Sequence, residues 1–229
     1  MALPRYYMYG DFFEFKDIFT ERFKEKKFKK GDKLKNVGEI VKSLYYSVHG
    51  LTKVSFIHES GESKTTFISG AGVIQPLYYP SQFPVWEKRF RLEAYTSMTV
   101  LEISKEEFKA LAEEYPRLME IMLDVTARNL YTMTADAMSH IYDEGITRIC
   151  NLMYAHISNL DVKHNHDINQ ITITQSDISA IVGLNRVNTN KILQQLKDMG
   201  IIALERRRIR IIDRKKLISY CSTDIVLGE

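Results

Sequence analysis

From Pro116 to Asp143 the sequence contains no glycine and, after its first residue, no proline, and this stretch constrains the fold more than any other. About 28 residues of this composition predict a single helix of roughly 42 Å. A helix of that length extends past one small domain and needs a second surface to bury its other face. Its apolar and small side chains follow the 4, 3, 4, 3, 4 spacing of a coiled-coil seam: Leu123, Ala127, Leu130, Thr134, Ala137 and Ile141.

This seam predicts that residues 116–144 form a dimerisation helix and that the chain is a homodimer. The alternative is a core helix that packs only on the domain before it. Gly145 is expected to end the helix, because glycine readily adopts the backbone conformation of a helix C-terminus. The chain then divides into residues 1–115, residues 116–144 and residues 145–229.

The residues before the long helix follow the pattern of short strands separated by glycine turns. The runs at 44–48, 51–57, 89–95 and 99–103 are rich in β-branched and aromatic residues. Such runs predict an antiparallel sandwich or barrel. A capping box of Ser104 and Glu107 then opens a short helix. Residues 1–115 are therefore predicted to form an antiparallel β-roll, and the whole chain to have an α+β fold.

Composition indicates a globular protein, with 45% hydrophobic and 27% charged residues among 229. The net charge is only +3, but cations concentrate in the last quarter of the chain. A basic end on a nearly neutral chain is typical of a nucleic-acid surface. These cations are Lys191, Lys197, Arg206, Arg207, Arg208, Arg210, Arg214, Lys215 and Lys216.

Several other classes of protein are disfavoured. The two cysteines, Cys150 and Cys221, form no CxxC motif, which argues against a disulfide framework or a cysteine-bound metal. We find no apolar run long enough to span a bilayer and no signal-peptide core, so we expect a cytoplasmic protein without membrane contact. His164 and His166 resemble a metal-binding pair but lack a fourth ligand, so no metal and no cofactor is predicted.

A helix-turn-helix pattern begins at Thr174. Thr174 is a suitable N-cap, with Asp177 three residues later, for a short helix over 175–182. Gly183 permits the positive φ angle of a turn. Asn185 is then a suitable cap for a second helix.

The second helix has one apolar and one polar face. Its inward face is predicted to contain Thr189, Ile192, Leu193 and Leu196. The outward residues near its N-terminus give the layout of a recognition helix, which enters the major groove of DNA. A buried helical hairpin without a DNA role is the alternative.

A β-hairpin is predicted after this helix. Ile201 and Ile202 begin one strand, residues 209–212 form the other, and three arginines lie at the tip. Such a wing places its arginines within reach of phosphates. The predicted DNA-binding residues of the winged helix-turn-helix domain are Thr174, Gln175, Ser176, Asn185, Arg186, Val187, Asn188, Asn190, Lys191, Arg206, Arg207 and Arg208.

The segment from Thr174 to Leu196 resembles the DNA-binding motif of the Crp–Fnr regulators, the relatives of the cyclic-AMP receptor protein. The residues 28–32, 48–54 and 101–104 resemble strands of the family's N-terminal domain, a jelly roll like that of cyclic-nucleotide-binding proteins. The resemblance implies a transcription regulator rather than an enzyme. It would bind a pseudo-palindromic operator as a homodimer, and would contact RNA polymerase if it is an activator.

The resemblance also implies roles for individual residues. Arg186 corresponds to an arginine that reads the O6 and N7 atoms of guanine. Thr174 and Gln175 correspond to phosphate contacts, and Lys191 to a basic residue that contacts DNA in part of the family. Val187 replaces a glutamate found in many members, so their base preference does not transfer. Its apolar side chain is suited to a thymine methyl group instead.

The effector pocket departs from that of the cyclic-nucleotide binders. Gln75 and Pro76 stand where those members have a Gly-Glu-Leu triplet for the ribose, and Lys88 and Arg89 stand where they have an Arg-Ser/Thr pair for the phosphate. Cyclic AMP is therefore disfavoured, and a small-molecule effector other than cyclic AMP is expected, whose identity the sequence does not specify. Its predicted pocket is Gln75, Leu77, Tyr78, Lys88, Arg89, Tyr95 and Leu130.

Other interpretations of the N-terminal domain stay open at this point. An aromatic concentration, which includes Tyr79, Phe83 and Trp86, suits either an aromatic effector or ordinary barrel core. A regulator with a vestigial, effector-independent sensor domain is a further alternative. A cupin-like metal-binding or enzymatic β-roll would need inward histidine and glutamate ligands, and His49 and His58 lie in a predicted hairpin.

Overall fold

The computed structural model describes residues 6–77, 88–159, 170–171, 173–206 and 208–226. The chain divides into two compact units. The N-terminal unit is Met8–Leu130, and the C-terminal unit comprises Met1–Tyr7 and Tyr131–Glu229. The long helix contributes residues to both units, and the predicted boundaries at residues 115 and 144 stay predictions.

The N-terminal unit is built on two antiparallel sheets. Its strands are β1 Tyr7–Met8, of which only Met8 is assigned to this unit, β2 Glu25–Phe28, β3 Lys33–Lys35, β4 Ser43–His49, β5 Thr52–Ile57, β6 Ser63–Ser69, β7 Ile74–Gln75, β8 Phe90–Ala94 and β9 Met98–Ser104. One sheet has the order β1-β6-β5-β8-β3, and the other has the order β2-β9-β4-β7. The strand-rich pattern before residue 104 therefore forms the predicted β-roll.

Successive side chains of β4 point to opposite faces of the strand and pack into two different apolar clusters. Tyr45 packs with Val54 and Leu92 of the five-stranded sheet, which forms the interior of the roll. Leu44 and Tyr46 face the other way and pack with helical residues. This alternation is what a strand with a buried side chain on each face requires.

The helices that accompany the β-roll come before β2 and after β9 in the chain. A 3₁₀ helix, Phe13–Phe15, precedes α1 Lys16–Arg22, and α2 Lys105–Glu114 precedes α3 Pro116–Tyr142. The capping box that opens α2 is confirmed, with Ser104 and Glu107 each bonding to the other's backbone N–H. The single long helix predicted from Pro116 is also confirmed.

The C-terminal unit contains the predicted winged helix-turn-helix. Its helices are α4 Gly145–Asn159, α5 Gln175–Val182, α6 Arg186–Asp198, α7 Arg214–Ile218 and α8 Thr223–Val226. Its strands are β10 Gln170–Ile171, β11 Ile202–Glu205 and β12 Arg208–Ile211, in the order β10-β12-β11. None of the helices in the described ranges is long and apolar enough to cross a bilayer.

The expectation that Gly145 ends the long helix is wrong. Helix α3 ends at Tyr142, and Gly145 is the first residue of α4. A Cβ atom on Gly145 would lie 2.8 Å from Cδ1 of Ile192 and 3.2 Å from Cδ1 of Leu184. Glycine at this position therefore permits a close approach to the helix-turn-helix, rather than a helix C-terminus.

Candidate nucleic-acid interface

Helix α5 begins and ends as its sequence predicts. The hydroxyl oxygen of Thr174 accepts a hydrogen bond from the backbone N–H of Asp177 at 3.1 Å. The Thr174 hydroxyl also donates to the Asp177 carboxylate at 2.7 Å. At the other end Gly183 has a φ angle of +64°, the left-handed conformation that favours glycine. The predicted cap and the predicted turn are confirmed.

Helix α6 starts immediately after this turn. The side-chain oxygen of Asn185 accepts a hydrogen bond from the backbone N–H of Asn188 at 2.8 Å, so its predicted role as N-cap is confirmed. Thr189, Leu193 and Leu196 are fully buried, and Ile192 is half-buried. The inward face therefore anchors the helix to its own domain.

The opposite face of α6 is exposed and polar, except at one position. The exception is Val187, an apolar side chain with 63% of its surface exposed. The remaining residues can donate or accept hydrogen bonds at the edges of bases. The exposed residues at the N-terminal end of the helix are Arg186, Val187, Asn188, Asn190 and Lys191.

The N-terminal ends of α5 and α6 lie next to each other. Nη2 of Arg186 donates a hydrogen bond to Oγ of Ser176 at 3.1 Å. The same end of the motif contains Thr174, Gln175, Ser176 and Asn185, of which Gln175 and Ser176 are exposed. Because backbone N–H groups at helix N-termini carry partial positive charge, this surface suits phosphates beside the bases that Arg186 would read.

The wing is a two-stranded hairpin with Glu205 opposite Arg208. Arg206 is exposed at its tip, and Arg207 lies outside the described residues. Arg208 Nε lies 2.5 Å from the Glu205 carboxylate, and Arg210 Nε lies 3.1 Å from it. This pairing was missed at the level of sequence, although a glutamate directly before three arginines could have indicated it. It offsets part of the positive charge of the wing.

The predicted effector residues occupy several parts of the β-roll. Gln75 is buried and its amide donates to Oγ of Ser69 at 2.5 Å. Leu77 packs against the cluster beneath the helices. Lys88 is exposed, and Arg89 pairs with Glu59 at 2.6 Å. The guanidinium of Arg89 lowers the pKa of the Glu59 carboxyl.

Two further predicted pocket residues lie elsewhere. Tyr95 follows β8, and the ammonium groups of Lys53 and Lys30 lie 5.4 and 5.7 Å from its ring centroid. Strand β8 belongs to the five-stranded sheet, whereas Gln75 lies in β7 of the four-stranded sheet. Leu130 is 65% exposed on α3. Tyr78, like the aromatic residues Tyr79, Phe83 and Trp86, lies outside the described residues, and the pocket stays a prediction.

The seam of α3 is exposed at its large apolar residues. Leu123, Leu130 and Ile141 are 67%, 65% and 70% exposed, whereas Leu118 and Val125 are buried within the N-terminal unit. The smaller seam residues Ala127, Thr134 and Ala137 are exposed as well. In a single chain the helix thus presents an apolar face to water.

Metal ligands do not cluster in the part of the chain that the structure describes. His49 is exposed, and Nδ1 of His58 lies 2.9 Å from Oγ of Ser60. His164 and His166 lie outside the described residues. Both cysteines are free thiols. Burial raises the pKa of Cys221 to about 12, which disfavours the thiolate form that binds metals.

The architecture, a β-roll, a long helix and a winged helix-turn-helix with an exposed recognition face, defines a class of DNA-binding transcription regulators. Residues 147–220 match the Crp-like helix-turn-helix domain. Together with the relatives described next, this match supports a DNA-binding transcription regulator of the Crp–Fnr type, and regulators of this type are not enzymes.

Known proteins support this assignment along most of the chain. The cAMP-activated global transcriptional regulator CRP of Salmonella typhimurium is 27% identical over 180 residues, which are 75% of this chain and 81% of CRP. The c-di-GMP responsive global regulator CLP of Xanthomonas campestris has the same fold, with a TM-score of 0.74, 15% identity and coverage of 87% and 99%. OCPA-complexed CprK shares the fold with a TM-score of 0.60, 18% identity and coverage of 89% and 92%.

Proposed function

We propose that this regulator is a homodimer that reads a pseudo-palindromic operator through the N-terminal end of α6. The exposed face that contains Arg186, Val187 and Lys191 carries this proposal, because its side chains match the edges of bases in the major groove. Two copies related by a two-fold axis would present two such helices. DNA is cytoplasmic in bacteria, so we infer the same location for the chain.

In vitro selection from a random pool of duplexes tests this proposal. We expect the selected sequences to contain an inverted repeat, with half-site centres about 10 base pairs or one helical turn apart. Selection of a single asymmetric site, or no enrichment over the starting pool, would contradict binding as a symmetric dimer. Contact with RNA polymerase is proposed only for the case of an activator.

The N-terminal β-roll is proposed to bind a small-molecule effector other than cyclic AMP. The similar proteins are described with different molecules: CRP as cAMP-activated, CLP as c-di-GMP responsive and CprK as complexed with OCPA. The fold therefore leaves the effector open, and the choice rests on individual side chains. Here Gln75 supplies a neutral amide instead of a carboxylate, and Arg89 is already paired with Glu59.

Cyclic AMP is expected to bind weakly, with a dissociation constant above about 10 μM, or roughly −7 kcal/mol. The physical reason is that the ribose hydroxyl finds no carboxylate, and the phosphate must compete with Glu59 for Arg89. Isothermal titration calorimetry measures this directly. A dissociation constant at or below about 10 μM would show that the pocket was misinterpreted.

A further inference from the structure

The position of Arg186 depends on the turn before it, residues 182–185, which we name the motif turn. The backbone N–H of Leu184 donates to the Ser179 carbonyl at 3.1 Å, and the Ser179 hydroxyl donates to the Leu184 carbonyl. These bonds close the turn onto α5. They do not fix the turn against the rest of the C-terminal unit.

Arg148 of α4 supplies the first interaction from outside the motif. Its Nη1 donates to the backbone carbonyl of Val182 at 3.0 Å. Val182 is the last residue of α5, where carbonyl groups lack partners within the helix and carry partial negative charge. A guanidinium at this point caps α5 and holds the start of the motif turn against α4.

His140, in the last turn of α3, supplies the second interaction. Its Nδ1 lies 2.7 Å from the backbone carbonyl of Asp136, and because a carbonyl only accepts, Nδ1 carries the proton. A Cβ atom on Gly183 would lie 2.3 Å from Nε2 of His140. The Nε2 edge of the ring therefore packs directly on the backbone of Gly183, in space that any other residue would fill.

Gly145, the first residue of α4, supplies the third interaction. A Cβ atom here would lie 3.2 Å from Leu184 of the motif turn and 2.8 Å from Ile192 of the recognition helix, so the missing side chain lets α4 approach both. Three residues from one segment, 140–148, thus meet the motif turn or the helix that follows it. All three precede the helix-turn-helix in the chain.

We propose that Arg148, His140 and Gly145 are positioning residues for DNA reading, which fix the motif turn and thereby the direction of Arg186. They act through the turn and need not touch DNA. The proposal rests on the proposed reading of DNA by α6. It predicts that removal of these interactions lowers discrimination between sequences, while attraction to phosphates is kept.

The test compares Arg148→Met with the wild type on a duplex selected by the wild type and on a scrambled duplex. We expect the ratio of the two affinities to fall about tenfold, with the salt dependence on the scrambled duplex unchanged. Arg117→Met is the matched control, because Arg117 is an exposed arginine on α3 that pairs with Glu120 and Glu14. It should keep the wild-type ratio.

A second pair of variants avoids any loss of charge. Gly145→Ala should lower the ratio about threefold, a small effect because Cδ1 of Ile192 ends a flexible side chain. Ile192→Val removes that atom and leaves only the milder approach to Leu184 at 3.2 Å, so the double variant should recover most of the wild-type ratio. Alanine is also the better helix former, so weaker helix formation cannot explain the lower ratio.

The outcomes separate the two proposals. If the wild type itself has no preference between the duplexes, the proposed DNA reading fails. If the wild type discriminates but Arg148→Met stays within about twofold of its ratio, or weakens both duplexes by the same factor, the positioning role is overturned. Lack of recovery in the Gly145→Ala, Ile192→Val double variant would overturn the contribution of Gly145.

Discussion

Ala127→Glu is expected to convert the protein into monomers and to abolish tight binding to an inverted repeat. Ala127 lies near the middle of the seam of α3, between Leu123 and Leu130. In the proposed dimer a two-fold axis would bring the two new carboxylates into the interface. A buried, unpaired charge costs about 3 kcal/mol or more, which is roughly a hundredfold in the dimer dissociation constant.

Sedimentation equilibrium at micromolar concentration measures this change. Ala110→Glu is the matched control, because Ala110 is an exposed alanine in the helix α2, away from the seam. It should leave the dimer intact. A wild-type chain that sediments as a stable monomer, or an Ala127→Glu variant as dimeric as the control, would show that α3 does not form the interface.

Arg186→Ala is expected to cost about 1–3 kcal/mol per half-site and to remove the preference at one base pair. The exposed guanidinium lies at the start of α6, and its hydrogen bond to Ser176 uses only one of about five donors. The remaining donors suffice for a bidentate contact to guanine. Titration of the selected duplex and its single-base variants measures both the affinity and the change in preference.

Arg206→Ala and Arg208→Ala on the wing provide the comparison. They should weaken selected and scrambled duplexes alike, and lower the salt slope by about one for each phosphate that the variant no longer neutralises. The effect of Arg208 should be the smaller one, because Glu205 already pairs with it. If Arg186→Ala weakens both duplexes equally and a wing variant erases the preference, the assigned roles are reversed.

The local features of the DNA-binding motif were predictable from the sequence. The caps at Thr174 and Asn185 and the turn at Gly183 depend on residue types a few positions apart, and backbone chemistry alone restricts what can occupy them. The strands of the β-roll were predictable for a similar reason, since β-branched runs and glycine turns are local signals.

Interactions between distant residues could not be predicted in this way. Arg148 and Val182 are 34 positions apart, and nothing in either residue type identifies its partner. Gly145 was misassigned because a glycine near a helix end has two explanations, a positive φ angle or a lack of space, and only the neighbouring helix decides between them. The predicted effector pocket combines side chains from separate strands and from α3, so it depends on packing that the sequence does not specify.

The central claim is that this chain reads DNA sequence rather than charge alone. A fluorescence anisotropy titration of the wild type, on its selected duplex and on a scrambled duplex at one salt concentration, tests it most directly. We predict that the selected duplex binds at least about a thousandfold more tightly, as specific regulators do. Affinities within about threefold of each other would mean that only phosphates are recognised, and would contradict the claim.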